Sequence, residues 1–136
     1  MRSRLCHGRQ CSRTDEARKR VEEFPHVQVE HQVHPEEWPN EEFELIVFSE
    51  LGYNFPPAEL RELVPRLCET LSPSGTLVAC HWRYDIVGCV INGDDVHRTI
   101  GELMSARPIV RQDEADFLLE IWSGGSRSVA AREGMR

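Results

Sequence analysis

The segment Glu44-Leu45-Ile46-Val47-Phe48 restricts the fold more than any other part of the chain. Four apolar residues in a row, closed off by Glu44 on one side and Glu50 on the other, suit a strand buried on both faces, as strands of parallel sheets are. A helix is expected next. Pro57 suits a first helical turn, and Leu60, Leu63, Val64, Leu67 and Leu71 recur at the spacing of one helical face. Pro65 interrupts that stripe and predicts a kink or a lost hydrogen bond. Ser72-Pro73-Ser74-Gly75 has the composition of a turn, and Thr76 to Trp82 reads as a second buried strand. Strand, helix and strand within about forty residues make a crossover unit, which joins parallel strands and is right-handed in ~98% of cases.

The flanking segments extend this unit. Asp15 to Phe24 is rich in helix formers, with Ala17, Val21 and Phe24 on one face and Pro25 as a stop. His26 to Glu30 alternates like a short strand, and His34 to Glu42 is a polar loop with Trp38 as its large apolar anchor. Asn92-Gly93-Asp94-Asp95 can cap and open a helix whose stripe is Val96, Ile100, Leu103 and Met104. Residues 108–112 and 116–122 read as an antiparallel hairpin. The fold class is therefore α/β: a partial Rossmann-like sheet, parallel strands followed by a C-terminal hairpin, with helices on both faces. One domain over residues 15–122 is expected, preceded by a disordered basic leader (1–14) and followed by a disordered, linker-like tail (123–136).

The chain's 136 residues allow one domain. No apolar run nears the ~18 residues of a membrane span, and the basic start lacks the apolar segment of a secretory signal; both point to the cytoplasm. The net charge of −7 is unevenly spread. Residues 1–20 hold seven basic side chains against Asp15 and Glu16, so the remainder is strongly acidic. The basic stretch has no aromatic residue to stack on bases, and the acidic body would repel phosphates, so no nucleic-acid partner is expected. The five cysteines are an odd number without regular spacing, as befits free thiols. Cys6, His7 and Cys11 lack the second ligand pair that structural zinc requires, and no metal is expected.

Several of these phrases resemble the class I S-adenosylmethionine-dependent methyltransferases. Phe43 to Glu50 is similar to that superfamily's fourth strand, Leu67 to Val78 to its following helix, turn and fifth strand, and the closing hairpin to its last two strands. The branch related to the nodulation protein S methyltransferases is closer still. It is matched by Pro35-Glu36-Glu37-Trp38-Pro39, Ser49-Glu50, His81-Trp82-Arg83, Gly93-Asp94-Asp95-Val96-His97 and Asp116 to Trp122, over roughly residues 16–122.

The resemblance implies methyl transfer from S-adenosyl-L-methionine to an amine on a small molecule or oligosaccharide. It implies Ser49 and Glu50 at the cofactor's methionine end, Glu50 and His81 as catalytic groups, and Tyr53, Trp82 and Arg83 around a sugar-like acceptor. His97 is expected to be structural. Departures stand beside the matches. A cofactor-cradling glycine turn has no counterpart, since Gly8 is the only glycine before Gly52. Leu5 to Gln10 reads as no strand and ends in no ribose-binding acid, and Val33 stands where the family places an adenine-reading Asp. An N-terminally truncated member, weak or inactive alone, is the expectation. The alternative is a non-catalytic remnant that binds a protein or itself through an exposed sheet edge.

Overall fold

The computed structural model describes residues 3–7, 11–34, 36–125 and 129–135. The chain divides into two compact units, residues 1–39 and 40–136. In the first, strand β1 (Ser3–His7) pairs in parallel with β2 (Val27–His31), and helix α1 (Cys11–Arg20) connects them and packs on β2. This corrects two expectations. Residues 3–7 are a strand, although their composition reads as none. The helix begins at Cys11 and not Asp15, and ends at Arg20, four residues short of Phe24, so the described part of 1–14 carries regular structure. Short polar segments such as Ser3–His7 gain their order from the neighbouring ladder, which a propensity scale does not contain.

The second unit is built on a four-stranded sheet in the order β3-β4-β6-β5. Strand β3 (Phe43–Ser49) lies parallel to β4 (Leu71–Trp82), with Val47 opposite Val78. The crossover helix is α2 (Pro57–Thr70), which runs on through Pro65 and buries Leu60, Leu63, Val64 and Leu67. The expected turn at Ser72–Gly75 appears as an irregularity inside β4: Phe43 faces Leu71 while Leu45 already faces Thr76. Strand β6 (Phe117–Ser123) runs antiparallel to both β4 and β5 (Val110–Asp113), completing the expected hairpin. The α/β class read from the sequence is the class observed. At the end of the chain, Val129–Arg132 forms a short helix, α4, within the tail expected to lack structure.

Helix α3 (Gly93–Leu103) starts at the Asn92 cap anticipated from the sequence. The Asn92 side chain accepts from the Asp95 amide at 3.1 Å, and Asp95 returns a bond from the Asn92 amide at 3.2 Å. This reciprocal box satisfies two of the helix's otherwise unpaired donors. The helix packs against α2, β4 and β6. Gly93 makes this possible: a Cβ there would stand 2.1 Å from the Trp82 carbonyl oxygen, an overlap with backbone that no rotamer relieves. The first turn of α3 is thereby pressed onto the end of β4.

The sheet's two faces differ. Leu77, Ala79 and His81 of β4 alternate inward with Leu118, Glu120 and Trp122 of β6, all buried. The opposite face is half-buried at Val78, Cys80, Leu119 and Ile121, and exposed at Leu45 and Val47. No described helix is long and apolar enough to cross a membrane.

Candidate active site

Three backbone segments meet at the carboxyl ends of β3 and β4: the turn Glu50–Asn54, the strand end His81–Arg83, and the start of α3. Glu50 is the pivot. Its backbone is left-handed (φ 54°), the sole non-glycine residue so placed among those described. Such a conformation costs roughly 1–3 kcal/mol and persists where surrounding contacts enforce it. Here they do. The Glu50 amide donates to the Cys80 carbonyl at 3.0 Å. One carboxylate oxygen accepts from the Trp82 amide at 2.7 Å, and the other accepts from the Tyr53 hydroxyl. Glu50 and Ser49 are both exposed, whereas Tyr53 is buried. Burial, reinforced by the bond to Glu50, raises the Tyr53 hydroxyl above its ordinary pKa, so it stays a donor.

His81 is fully buried beneath this turn, boxed by the rings of Phe48, Tyr53 and His97 at centroid distances of 5.2, 5.7 and 5.2 Å. Its Nε2 accepts from the Gly52 amide at 3.1 Å, and its Nδ1 lies 3.2 Å from His97 Nε2. Both ring nitrogens are thus engaged by the protein. Burial, then the neighbouring His97, pushes its pKa down to about 3. A general base must reach the proton it removes; the structure holds the His81 ring buried with both nitrogens bonded inside the protein, a geometry that differs from the catalytic one expected.

Arg83 also differs from expectation. Its Nε donates to Asp94 at 3.0 Å, and its Nη1 donates to Asp113 and to the Glu114 carbonyl. The guanidinium ties α3 to the hairpin and presents no free fork to an anionic acceptor. Trp82 is 41% exposed and leans on Tyr84, 54% exposed, at a ring distance of 5.5 Å. Tyr84 went unnoticed in the sequence; it lies in the bend just beyond the end of β4.

His97 was expected to be structural, and its partner Glu120 was missed. His97 is buried on the inner face of α3 with its Nδ1 2.7 Å from Glu120 Oε2. Glu120, equally buried, receives Arg111 Nη1 on its other oxygen at 2.6 Å. A signal existed: Glu120 occupies the inward position between Leu118 and Trp122 in an alternating strand, where a charge requires a partner.

In the first unit, an open hollow of about 680 Å³ lies at the carboxyl end of β2, lined among others by Arg18, His31, Glu36, Glu37 and Trp38. Val33 is exposed, and its amide donates to the Glu37 carboxylate at 2.7 Å. An acid is therefore present beside the position where the sequence offers Val33.

Comparison with known proteins agrees with this architecture. No family model matches the chain, and no curated protein matches it significantly. Solved structures do. A protein of Pseudomonas syringae assigned as a methyltransferase is 36% identical, superposes with a TM-score of 0.75, and is matched over 88% of this chain and 71% of its own. The N-methyltransferase NodS from Bradyrhizobium japonicum WM9, in complex with S-adenosyl-L-homocysteine, is 21% identical with a TM-score of 0.74, over 90% of this chain and 66% of its own. An RNA methyltransferase from Salinibacter ruber, also with S-adenosyl-L-homocysteine, is 17% identical with a TM-score of 0.60, over 93% of this chain and 68% of its own. The chain thus spans about two-thirds to seven-tenths of these relatives. It belongs to the methyltransferase family and has the class I fold of S-adenosylmethionine-dependent enzymes.

Proposed function

We propose that the chain takes part in S-adenosylmethionine-dependent transfer of a methyl group to an amine on a small molecule or oligosaccharide, in the cytoplasm, as a member of the nodulation protein S-like branch. The observation that carries this reading is the Glu50 turn. A carboxylate held in strained backbone at a strand's carboxyl end stands where open α/β sheets gather their ligands. Ser49 and Glu50 fit the ammonium of the cofactor's methionine portion, because a carboxylate already accepting two bonds keeps further lone pairs. When bound, the cofactor supplies an electrophilic methyl group. The protein's own share is placement. Tyr53 and the Trp82 amide aim the Glu50 carboxylate, Trp82 and Tyr84 offer an exposed aromatic face to a sugar ring, and Arg83 braces the lip behind them. All of these residues fall within 15–122.

Binding is expected to be weak, since no glycine-rich turn precedes β3 in this sequence. Calorimetric titration with S-adenosylmethionine should give a saturable midpoint in the range of about 10–100 μM, and Glu50→Gln should weaken it roughly tenfold through loss of one charge-assisted contact. A flat trace for the unaltered chain would reduce the reading to common ancestry.

A second reading, a remnant that binds a protein or a second copy of itself, is favoured by β3. It is the end strand of its sheet and leaves Leu45 and Val47 44% and 62% exposed. Light scattering over a hundredfold range of concentration checks it: mass rising toward a dimer supports the remnant, and a constant monomer mass removes it.

A further inference from the structure

The described residues include one buried polar chain that runs away from the candidate site. Starting at the site turn, the Gly52 amide lies on His81 Nε2, His81 Nδ1 on His97 Nε2, His97 Nδ1 on one oxygen of Glu120, and Arg111 on the other. His81, His97 and Glu120 are each at least 96% buried. The Glu120 end borders a groove of about 340 Å³ between α3 and the hairpin, beside Arg98, Pro108 and Trp122.

The two ends of this chain dictate its direction. A backbone N–H only donates, so His81 Nε2 must be bare and the single proton of the neutral ring must sit on Nδ1. That proton can go only to a bare His97 Nε2, which places the His97 proton on Nδ1. A carboxylate only accepts, and Glu120 receives it. Reading from Glu120 back to Gly52 produces the same assignment, so donor and acceptor alternate without conflict over four bonds. Gly52 must be glycine for the chain to close: a Cβ there would lie 3.0 Å from His81 Nε2 and 2.5 Å from Val96 Cγ1.

We propose that Glu120 and His97 are positioning residues for the candidate site: by fixing the proton on His81 Nδ1 they leave His81 Nε2 free to tether the Gly52 amide, and so hold the Glu50–Tyr53 turn in register with Trp82. The contribution to transfer rests on the methyl-transfer reading. The tether does not, and its test reads the rings and the turn independently of any reaction.

Long-range ¹⁵N–¹H correlation spectra of the full chain with labelled imidazoles, at pH 7.5, should show both His81 and His97 protonated at Nδ1 and bare at Nε2. Free neutral histidine favours the opposite tautomer, so a merely packed ring would not display this pattern. A proton on Nε2 of either ring overturns the proposal. Amide hydrogen exchange supplies the second readout. His97→Met, which keeps length and loses both bonds, should speed exchange at Gly52 by about tenfold or more relative to Leu77 and Ala79, as expected for one lost buried bond. His97→Gln, whose amide can accept from His81 and donate to Glu120, should restore the slower rate. Equal Gly52 exchange in the unaltered chain and His97→Met would refute the tether. If His97→Met does not fold, the tautomers of the unaltered chain decide the matter alone.

Discussion

Acidification from pH 6.5 toward pH 4 is expected to strip stability from the 40–136 unit through its two buried imidazoles. The unfolded chain exposes its imidazoles at their ordinary pKa near 6.5, whereas folded His81 is held down to about 3 and His97 is also held below its ordinary value. Burial is the leading cause for both. For His97 it prevails over Glu120 and Asp94, which pull the other way, while Arg111 assists it; for His81 the adjacent His97 adds to burial, and Tyr53 presents a protonated hydroxyl's ring.

Between these limits the unfolded state binds more protons than the folded state. Stability therefore falls as pH falls below 6.5, and above 6.5 the contribution is complete and constant. The slope approaches ~1.4 kcal/mol per pH unit for His81, on the order of 4–5 kcal/mol over its whole range, and His97 adds to it in the same direction. A proton added to His81 also turns an N–H toward the Gly52 amide, and one added to His97 sets its Nε2–H against the His81 Nδ1–H, so either breaks the donor–acceptor alternation. Loss at the turn should thus accompany loss of stability. His34 is shifted in the same direction but belongs to the other unit, so protection of β4 and β6 amides, followed from pH 7.5 to pH 4.5, is the measurement to make. Protection that stays level from pH 6.5 to pH 5 would show that these rings are not neutral and buried together.

Trp122→Ala is expected to cost roughly 3–5 kcal/mol in urea unfolding, the range for removing a large buried side chain. Trp122 is 1% exposed, faces Leu77 across the β4–β6 ladder, and lies 6.4 Å from the His97 ring. Its loss opens the floor between the sheet and α3. Trp122→Phe is expected to cost less, about 1–2 kcal/mol. The indole N–H has no acceptor among the described residues, so the smaller ring forfeits volume and no hydrogen bond. Equal costs for the two substitutions would show that the N–H has a partner.

Much of the second unit could be read in advance because its signals are local. The run Leu45–Phe48, the stripe of α2 and the Asn92–Asp95 cap each declare an element within one or two turns of chain, and each occurs where it was read, except that β3, expected to be buried on both faces, leaves Leu45 and Val47 exposed. Parallel pairing of Val47 with Val78 follows from the crossover rule. The strand Ser3–His7 was not legible, because pairing with β2 stabilises it more than its own composition does. At the candidate site, Ser49, Glu50, Tyr53, Trp82 and Arg83 were expected from the family resemblance, and the structure gathers them at the ends of β3 and β4, but their partners were not legible. Arg83 is consumed by Asp94 and Asp113, and His81 is turned inward.

By itself the sequence determined where β3, α2, α3 and the β5–β6 hairpin of the second unit lie, though not that β4 begins at Leu71 or that the tail holds α4, and it determined that the carboxyl ends of β3 and β4 carry the polar groups. Hydrophobic period and capping are properties of neighbouring residues, and they survive any rearrangement of the whole. Only the tertiary structure decided what those polar groups do. His81 meets His97 across 16 residues and His97 meets Glu120 across 23. Whether a buried imidazole donates or accepts depends on which atom packing places against each nitrogen, a fact that no stretch of consecutive residues encodes.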